Sequence, residues 1–228
     1  MKLNKLIALT MLLLMLTGCV KAAAGSGKES EAANVSVSGL NEIAETGRVV
    51  EPLPDTTMED LNDAVLSVSL NEGDAYVDDS GIMQMQLKIY SYDQYDMIDV
   101  AALEPGDQIV GHRGTVKVTS VERADSGAVS INGGLEKGGF DLVTDGFGVF
   151  YEMGANDAKS WYEVGEATIR VSVDFIGIDT ADLEQGEVTV YPGDFLVGAV
   201  TNYDFTPYNT TVRVENGQIV ELHRVFIP

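Results

Sequence analysis

Strict alternation of apolar and polar residues is the feature that most restricts what this 228-residue chain can fold into. It runs through segments 83–90, 115–121 and 167–175, and it continues through 211–220 on both sides of an Asn-Gly pair. A period of two is typical of strands with one buried face, and Asn-Gly between two such runs is typical of a two-residue hairpin. No long stretch of the sequence has the period of an amphipathic helix. The sequence therefore predicts an all-β body.

Two segments of the body, 98–110 and 178–190, are similar to each other, with seven of thirteen positions identical. Each follows an alternating run, and each leads through an acidic turn into the next predicted strand. This pattern resembles the corners of small barrels of the SH3 or OB kind. We therefore predict two tandem duplicated small β units, over 58–145 and 146–228, with a single β-sandwich as the alternative architecture.

The duplication assigns the same three roles to matched residues in the two segments. An Asp is expected to cap a short helical turn, a Leu to point inward, and a Gly to take a positive φ. The residues are Asp99, Leu103 and Gly106 in the first segment, and Asp179, Leu183 and Gly186 in the second.

The first 19 residues have the organisation of an export signal. Lys2 and Lys5 precede an apolar run over 6–16, which is shorter than the ~20 residues that span a bilayer and fits a signal peptide. The run ends in Leu16-Thr17-Gly18-Cys19, which resembles the lipobox of bacterial lipoproteins. The resemblance implies cleavage before Cys19 and attachment of that residue to the membrane through acyl chains such as palmitate. An ordinary signal peptide followed by an incidental Cys is the alternative.

The predicted organisation is therefore a lipoprotein signal peptide over 1–18, a flexible tether over 19–57 and the β body. The tether segment is rich in small and polar residues and ends in a Pro-rich stretch, a composition typical of linkers. An ordered strap over Leu40 to Val50 that docks on the body is the alternative for part of this segment. The expected location is extracytoplasmic, at the bacterial cell surface, with the membrane as a partner through the N-terminal lipid.

Charge and cysteine content exclude several classes of protein. The chain has 36 acidic and 14 basic residues and a formal net charge of −22. Nucleic-acid binding requires a basic surface, so no nucleic-acid partner is predicted. A single Cys cannot form a disulfide framework or a zinc site built from several cysteines.

Acidic residues cluster in two predicted loops, where their carboxylates could act as the oxygen ligands that calcium prefers. A structural calcium site is thus one hypothesis, and no other cofactor is predicted; turn formation and solubility are the alternative roles of these acids. The two histidines, His112 and His223, could join carboxylates around zinc, or they could be unrelated residues of a turn and a strand. The candidate metal ligands are Asp74, Asp78, Asp79, Asp93 and Asp96.

The aromatic pair Trp161 and Tyr162 follows a predicted loop and is the candidate binding site for a sugar or another ligand. No catalytic residues are predicted, because the sequence has no nucleophile elbow. The leading hypothesis is a non-catalytic, lipid-anchored surface lipoprotein that acts as an extracytoplasmic binding or scaffolding module. The alternatives are a carbohydrate- or calcium-binding surface protein and a secreted hydrolase that uses paired carboxylates.

Overall fold

A computed structural model of the protein describes residues 47–144, 146–154, 158–200 and 203–227. These residues belong to one unit of the chain, Ala44–Pro228. The predicted signal peptide, the lipobox Cys19 and the tether up to residue 46 lie outside the described residues. No helix in the described part of the chain is long and apolar enough to cross a bilayer.

Strands form most of the regular structure, as the alternating patterns predicted, and the helical segments are short. The helices are α1 (Met97–Ala101) and α2 (Pro192–Leu196), with a 3-10 turn at Leu135–Lys137. The strands are β1 (Val49–Val50), β2 (Leu53–Pro54), β3 (Ala64–Ser69), β4 (Ala75–Val77), β5 (Met83–Ser91), β6 (Asp93–Asp96), β7 (Gln108–Gly111), β8 (Gly114–Lys117), β9 (Val121–Arg123), β10 (Val129–Ile131), β11 (Phe140–Thr144), β12 (Val149–Glu152), β13 (Tyr162–Thr180), β14 (Val188–Val190), β15 (Thr210–Glu215) and β16 (Gln218–Val225).

Five strands, β3, β5, β13, β15 and β16, close into a barrel. Their order around the barrel is β3, β5, β13, β16 and β15, and β15 pairs with β3 to complete the circle. The third and fifth strands in chain order, β13 and β16, are parallel neighbours, and the other barrel pairs are antiparallel. This is a Greek-key arrangement of the OB kind. The prediction of an all-β, barrel-like fold is confirmed.

The barrel interior is filled by aliphatic side chains that alternate along its strands. On β5, Met85, Leu87 and Ile89 are fully buried, whereas Gln86 between them is exposed. Each buried side chain of this size stabilises the fold by roughly 1.5–3 kcal/mol relative to an exposed one. The apolar positions of the alternating pattern on β5 are therefore the ones whose side chains fill the barrel.

The chain between β5 and β13, together with β1 and β2, forms a second β layer with its own hydrophobic core. Six strands form one sheet, in the order β2, β6, β12, β11, β10, β9, and β1, β7 and β8 form a smaller one. The core of this layer includes the fully buried residues Tyr95, Ile109, Ile131, Phe140 and Leu142. Most of this layer is an insertion between the second and third strands of the barrel.

The predicted boundary between two tandem units at 145–146 does not separate the strands of the barrel. Strands β3 and β5, from the predicted unit 58–145, pair with β15 and β13 of the predicted unit 146–228. The two predicted units therefore share one barrel. The alternating pattern identifies a strand but not its partner, and the barrel pairs strands that are far apart in the sequence.

The similarity between segments 98–110 and 178–190 does not correspond to a structural repeat. Both segments end in a strand, β7 in the first and β14 in the second, but the first begins with most of α1 whereas the second begins with the end of β13 and a turn. Leu103 is 3% exposed and belongs to the core of the second layer, but Leu183 is 70% exposed. The prediction of an internal repeat is therefore wrong.

The predicted caps also differ between the two segments, although the glycines behave alike. Asp96 rather than Asp99 caps α1, by accepting a hydrogen bond from a backbone N–H of the first turn. Asp179 accepts the backbone N–H of Ala181. It also forms an ion pair with the buried Arg224, whose Nε lies 3.0 Å from Asp179 Oδ1. Both glycines have positive φ, 108° at Gly106 and 72° at Gly186.

The last part of the predicted tether, 47–57, is an ordered strap rather than flexible chain. It contains β1, which pairs in parallel with β7, and β2, which pairs antiparallel with β6. Val50 is buried in the core of the second layer, and the Thr56 N–H donates to Ser91 Oγ at 2.9 Å. The tether prediction is wrong here because this segment satisfies its backbone groups by strand pairing and buries an apolar side chain.

Candidate functional site

Three side chains of the metal-ligating type meet where β6, β12 and the turn between β7 and β8 come together. Asp93 begins β6 and Glu152 ends β12, and the antiparallel pairing of these strands places the two residues side by side. His112 lies in the β7–β8 turn. One nitrogen or oxygen atom from each residue lies within 4.8 Å of the other two. We call Asp93, His112 and Glu152 the acid–imidazole cluster; no second group of this kind occurs among the described residues.

The Gly-His-Arg-Gly turn reaches the cluster because Gly111 lies against the core of the second layer. A Cβ atom at Gly111 would lie 2.9 Å from a ring carbon of Phe140 and 3.0 Å from the Tyr95 hydroxyl oxygen. Any side chain larger than hydrogen would therefore lift the turn away from the sheet. The absence of a Cβ at this position lets the turn bring His112 over the ends of β6 and β12.

Asp93 is buried and held by hydrogen bonds to both carboxylate oxygens. Its Oδ2 accepts the backbone N–H of His112 at 2.6 Å, and its Oδ1 accepts the Tyr162 hydroxyl at 2.9 Å. Oδ2 also lies 3.3 Å from His112 Nδ1. These contacts fix the orientation of the carboxylate and direct Oδ2 toward the imidazole.

Glu152 is the most unusual residue of the cluster, because its side chain is fully buried and only one of its oxygens has a hydrogen-bond partner. Oε1 accepts a hydrogen bond from Arg113 Nη2. Oε2 is buried without a hydrogen-bond partner and lies 3.8 Å from His112 Nδ1. Leaving a buried polar atom unsatisfied costs roughly 1–3 kcal/mol. Burial raises the pKa of Glu152, and the nearby Arg113 opposes this increase.

Two tyrosines lie near the cluster. The Tyr162 ring stacks on the His112 imidazole, with 4.6 Å between ring centroids, and burial and its hydrogen bond to Asp93 raise the pKa of Tyr162 to about 12. Tyr95 donates its hydroxyl to the Val110 carbonyl at 3.0 Å, and burial raises the pKa of Tyr95. Both phenols therefore remain protonated hydrogen-bond donors at neutral pH.

A serine lies near the second ring nitrogen of His112, Nε2, which does not face the carboxylates. Ser160 Oγ lies 3.5 Å from His112 Nε2, so that serine, histidine and Asp93 follow one another as in a hydrolase triad. Acyl transfer further requires backbone N–H groups near the nucleophile that stabilise the oxyanion. Here the Ser160 N–H donates to the Glu152 carbonyl and the Trp161 N–H donates to the Lys159 carbonyl, both at 2.9 Å. The two amides beside this serine are thus already hydrogen-bonded to main-chain carbonyls.

Two of the acids predicted as calcium ligands form hydrogen bonds within turns. Asp74 Oδ2 accepts the backbone N–H of Asn71 at 2.6 Å. Asp78 Oδ1 accepts the backbone N–H groups of Ser80 and Ile82, both at 2.9 Å. The hydrogen bonds from Ile82, Gln84 and Ser80 lower the pKa of Asp78. These contacts are the ones expected of turn-forming acids.

The other three predicted ligands have different environments. Asp79 is exposed in the same turn as Asp78. Asp96 caps α1 by accepting the Ile98 N–H at 2.7 Å. Asp93 alone among the five predicted acids belongs to the acid–imidazole cluster.

The predicted ligand-binding aromatics, Trp161 and Tyr162, contact different groups. Trp161 packs edge-on against Tyr92, with ring centroids 4.9 Å apart. The ammonium group of Lys159 lies 3.8 Å from the centroid of Tyr92 and 5.6 Å from that of Trp161. Tyr162 stacks on His112 at the cluster. The two aromatics therefore do not form one flat platform.

A histidine–carboxylate site was one hypothesis from the residue types, but Glu152 and Arg113 were not among its predicted members. Both Phe150 and Glu152 are buried on β12, with half-buried residues before each. A carboxylate on the buried face of an alternating strand is a signal that could have identified Glu152. His223 lies on β16, paired with Thr211 and Ile178, and is not part of the cluster.

Comparison with known proteins identifies no relative of this chain. No protein-family model, curated protein or solved structure matches the chain. The function therefore has to be argued from the residues and their geometry alone.

Proposed function

We propose that this protein is a lipid-anchored bacterial surface lipoprotein whose folded body acts as a non-catalytic, extracytoplasmic binding module. The lipobox motif ending at Cys19 supports the anchor. The observation that carries the binding role is the buried Glu152 Oε2, which has no hydrogen-bond partner and faces His112 and Asp93. A fold keeps such an atom at a cost, and the gain from a bound ligand offsets that cost.

The contacts of the cluster favour binding over carboxylate-based hydrolysis. Paired carboxylates that cleave a glycosidic bond lie on either side of the substrate and leave space between them for the sugar. Here the His112 Nδ1 lies within 3.8 Å of an oxygen from both Asp93 and Glu152. The imidazole therefore occupies the space that a sugar ring would need.

The anchoring part of the proposal is tested by the variant Cys19→Ala in a bacterial host. We expect the parent protein to fractionate with membranes and to incorporate labelled palmitate. The variant should lose the label and leave the membrane fraction after a high-salt wash, because acyl chains supply the membrane affinity. Thr17→Ser is the matched control, since it changes the lipobox while keeping the thiol and a small residue.

Persistence of the Cys19→Ala protein in washed membranes would contradict anchoring through this residue. Loss of membrane attachment in the Thr17→Ser control would show that the assay responds to the signal sequence rather than to the thiol.

A further inference from the structure

We propose that Asp93, His112 and Glu152 bind a divalent first-row transition-metal ion, through Oδ2, Nδ1 and Oε2 respectively. This inference rests on the proposed binding function and names its ligand. It concerns the body of the protein only, so it can be tested independently of the anchor.

The separations of the two carboxylates from the imidazole are close to those of a zinc site. Zinc binds imidazole nitrogen and carboxylate oxygen at roughly 2.0–2.2 Å, so the ligand atoms of a tetrahedral site lie about 3.4 Å apart. His112 Nδ1 lies 3.3 Å from Asp93 Oδ2 and 3.8 Å from Glu152 Oε2. One ligand atom from each of the three residues lies within 4.8 Å of the other two, so the site needs a contraction of at most about 1.4 Å in any separation to reach tetrahedral spacing.

Each proposed ligand is already oriented through an atom that would not contact the metal. Asp93 Oδ1 is held by the Tyr162 hydroxyl, and Glu152 Oε1 by Arg113. His112 Nε2 faces Ser160 Oγ at 3.5 Å. Such outer contacts are typical of metal sites, where they fix the orientation of the first-shell ligands.

The second, independent observation is the unpartnered Oε2 of Glu152. Its side chain is 0% exposed, so bulk solvent does not reach this oxygen, and it has no hydrogen-bond partner in the protein. A metal ion bound between Oε2, His112 Nδ1 and Asp93 Oδ2 would supply the missing interaction. The same ion would offset the repulsion between the two carboxylates, of which Arg113 neutralises only one.

The imidazole ligand distinguishes this proposal from the predicted calcium site. Calcium takes oxygen ligands, whereas imidazole favours zinc, copper, iron and nickel. Three protein ligands also leave one position of a tetrahedral ion for water or for a group from another molecule. We therefore expect zinc to bind and calcium to bind poorly at this cluster.

The test is calorimetric titration of the full chain, purified in detergent, with Zn²⁺ after treatment with a chelator. The Cys19→Ala background is used, so that the single thiol cannot contribute a ligand. We expect one zinc ion per chain, a rise in melting temperature with zinc, and no comparable effect of Ca²⁺. Glu152→Gln should weaken zinc binding more than about 100-fold, because an amide oxygen replaces a charged ligand.

Two further variants make the result decisive. Asp96→Asn removes a carboxylate from the same strand, β6, while keeping a residue that caps helices well, and it should bind zinc like the parent. His112→Asn changes a ligand in a surface turn, so it remains informative if Glu152→Gln fails to fold, and it should also lose zinc binding.

Absence of zinc binding by the parent would overturn the metal proposal. Unchanged affinity in both folded ligand variants would do the same. Neither result would affect the membrane-fractionation experiment, so failure of the metal site and failure of the anchor are distinguishable.

Discussion

At the scale of single residues, the acids of this protein fall into two groups that their sequence context does not separate. Asp74, Asp78 and Asp96 accept backbone N–H groups of their own turns. Asp93 accepts its bonds from residues 19 and 69 positions away in the chain. The first group therefore stabilises local structure, whereas the contacts of Asp93 bring the second β layer and the start of β13 together.

Asp78 provides a pH test of the local role. Hydrogen bonds to Ile82, Gln84 and Ser80 lower its pKa below 3.8, so its contribution to stability is present above pH 3.8 and is lost as the pH falls through the folded-state pKa. We expect Asp78→Ala to destabilise the protein at pH 7 and to have a smaller effect at pH 2. Thermal unfolding at both pH values measures this, with the exposed Asp79→Ala as the control. Equal destabilisation at the two pH values would contradict the role of the charged carboxylate.

At the scale of secondary-structure elements, the two similar segments show how the same residues acquire different roles. The helix α1 packs on the second layer and directs Leu103 into its core. The matched segment leaves β13 and turns at the surface, where Leu183 is exposed. The difference lies in the neighbouring strands and not in the residues themselves.

This difference predicts unequal effects of the same substitution at the two leucines. Leu103→Ala should lower the free energy of unfolding by about 2–5 kcal/mol, because it removes a buried side chain and leaves a cavity. Leu183→Ala should change it by less than about 0.5 kcal/mol, as is usual for exposed positions. Denaturant titration of both variants measures the effects, and each variant serves as the control for the other. Equal losses at the two sites would support the structural repeat that we reject here.

The sequence predicts a strand where a local pattern marks it, such as alternation of apolar and polar residues or a turn dipeptide. It does not predict which strands pair when they are far apart in the chain. The alternation over 83–90 identified β5, and the Asn-Gly pair at 216–217 identified the hairpin between β15 and β16, where both residues have positive φ. The pairing of β5 with β13 depends on residues more than 70 positions apart, and no local pattern encodes it. Alternation along β12 marks Glu152 as buried, but its approach to His112 in the β7–β8 turn is another contact that no local pattern encodes.

At the scale of the whole molecule, the barrel and the inserted layer have separate hydrophobic cores. The two parts also differ in where they carry buried titratable side chains. The barrel core is formed by aliphatic and phenylalanine side chains. The acid–imidazole cluster lies at the edge of the inserted layer, with Tyr162 contributed by the first residue of β13. A barrel strand thus holds the proposed ligand site, so that a rigid scaffold positions side chains supplied by an insertion.

The charge of the whole molecule leads to a last prediction, on the effect of salt on stability. A formal net charge of −22 produces self-repulsion in the compact state, and salt at 0.1 M and above screens charges beyond about 10 Å. Raising NaCl from low concentration to about 0.5 M should therefore increase the melting temperature at pH 7. Near the sequence pI of about 4.1 the net charge is close to zero, so the same addition should have a much smaller effect. Scanning fluorimetry at both pH values, with zinc removed by a chelator, provides the measurement. An equal increase at the two pH values would indicate a general salt effect on apolar burial instead of relief of charge repulsion.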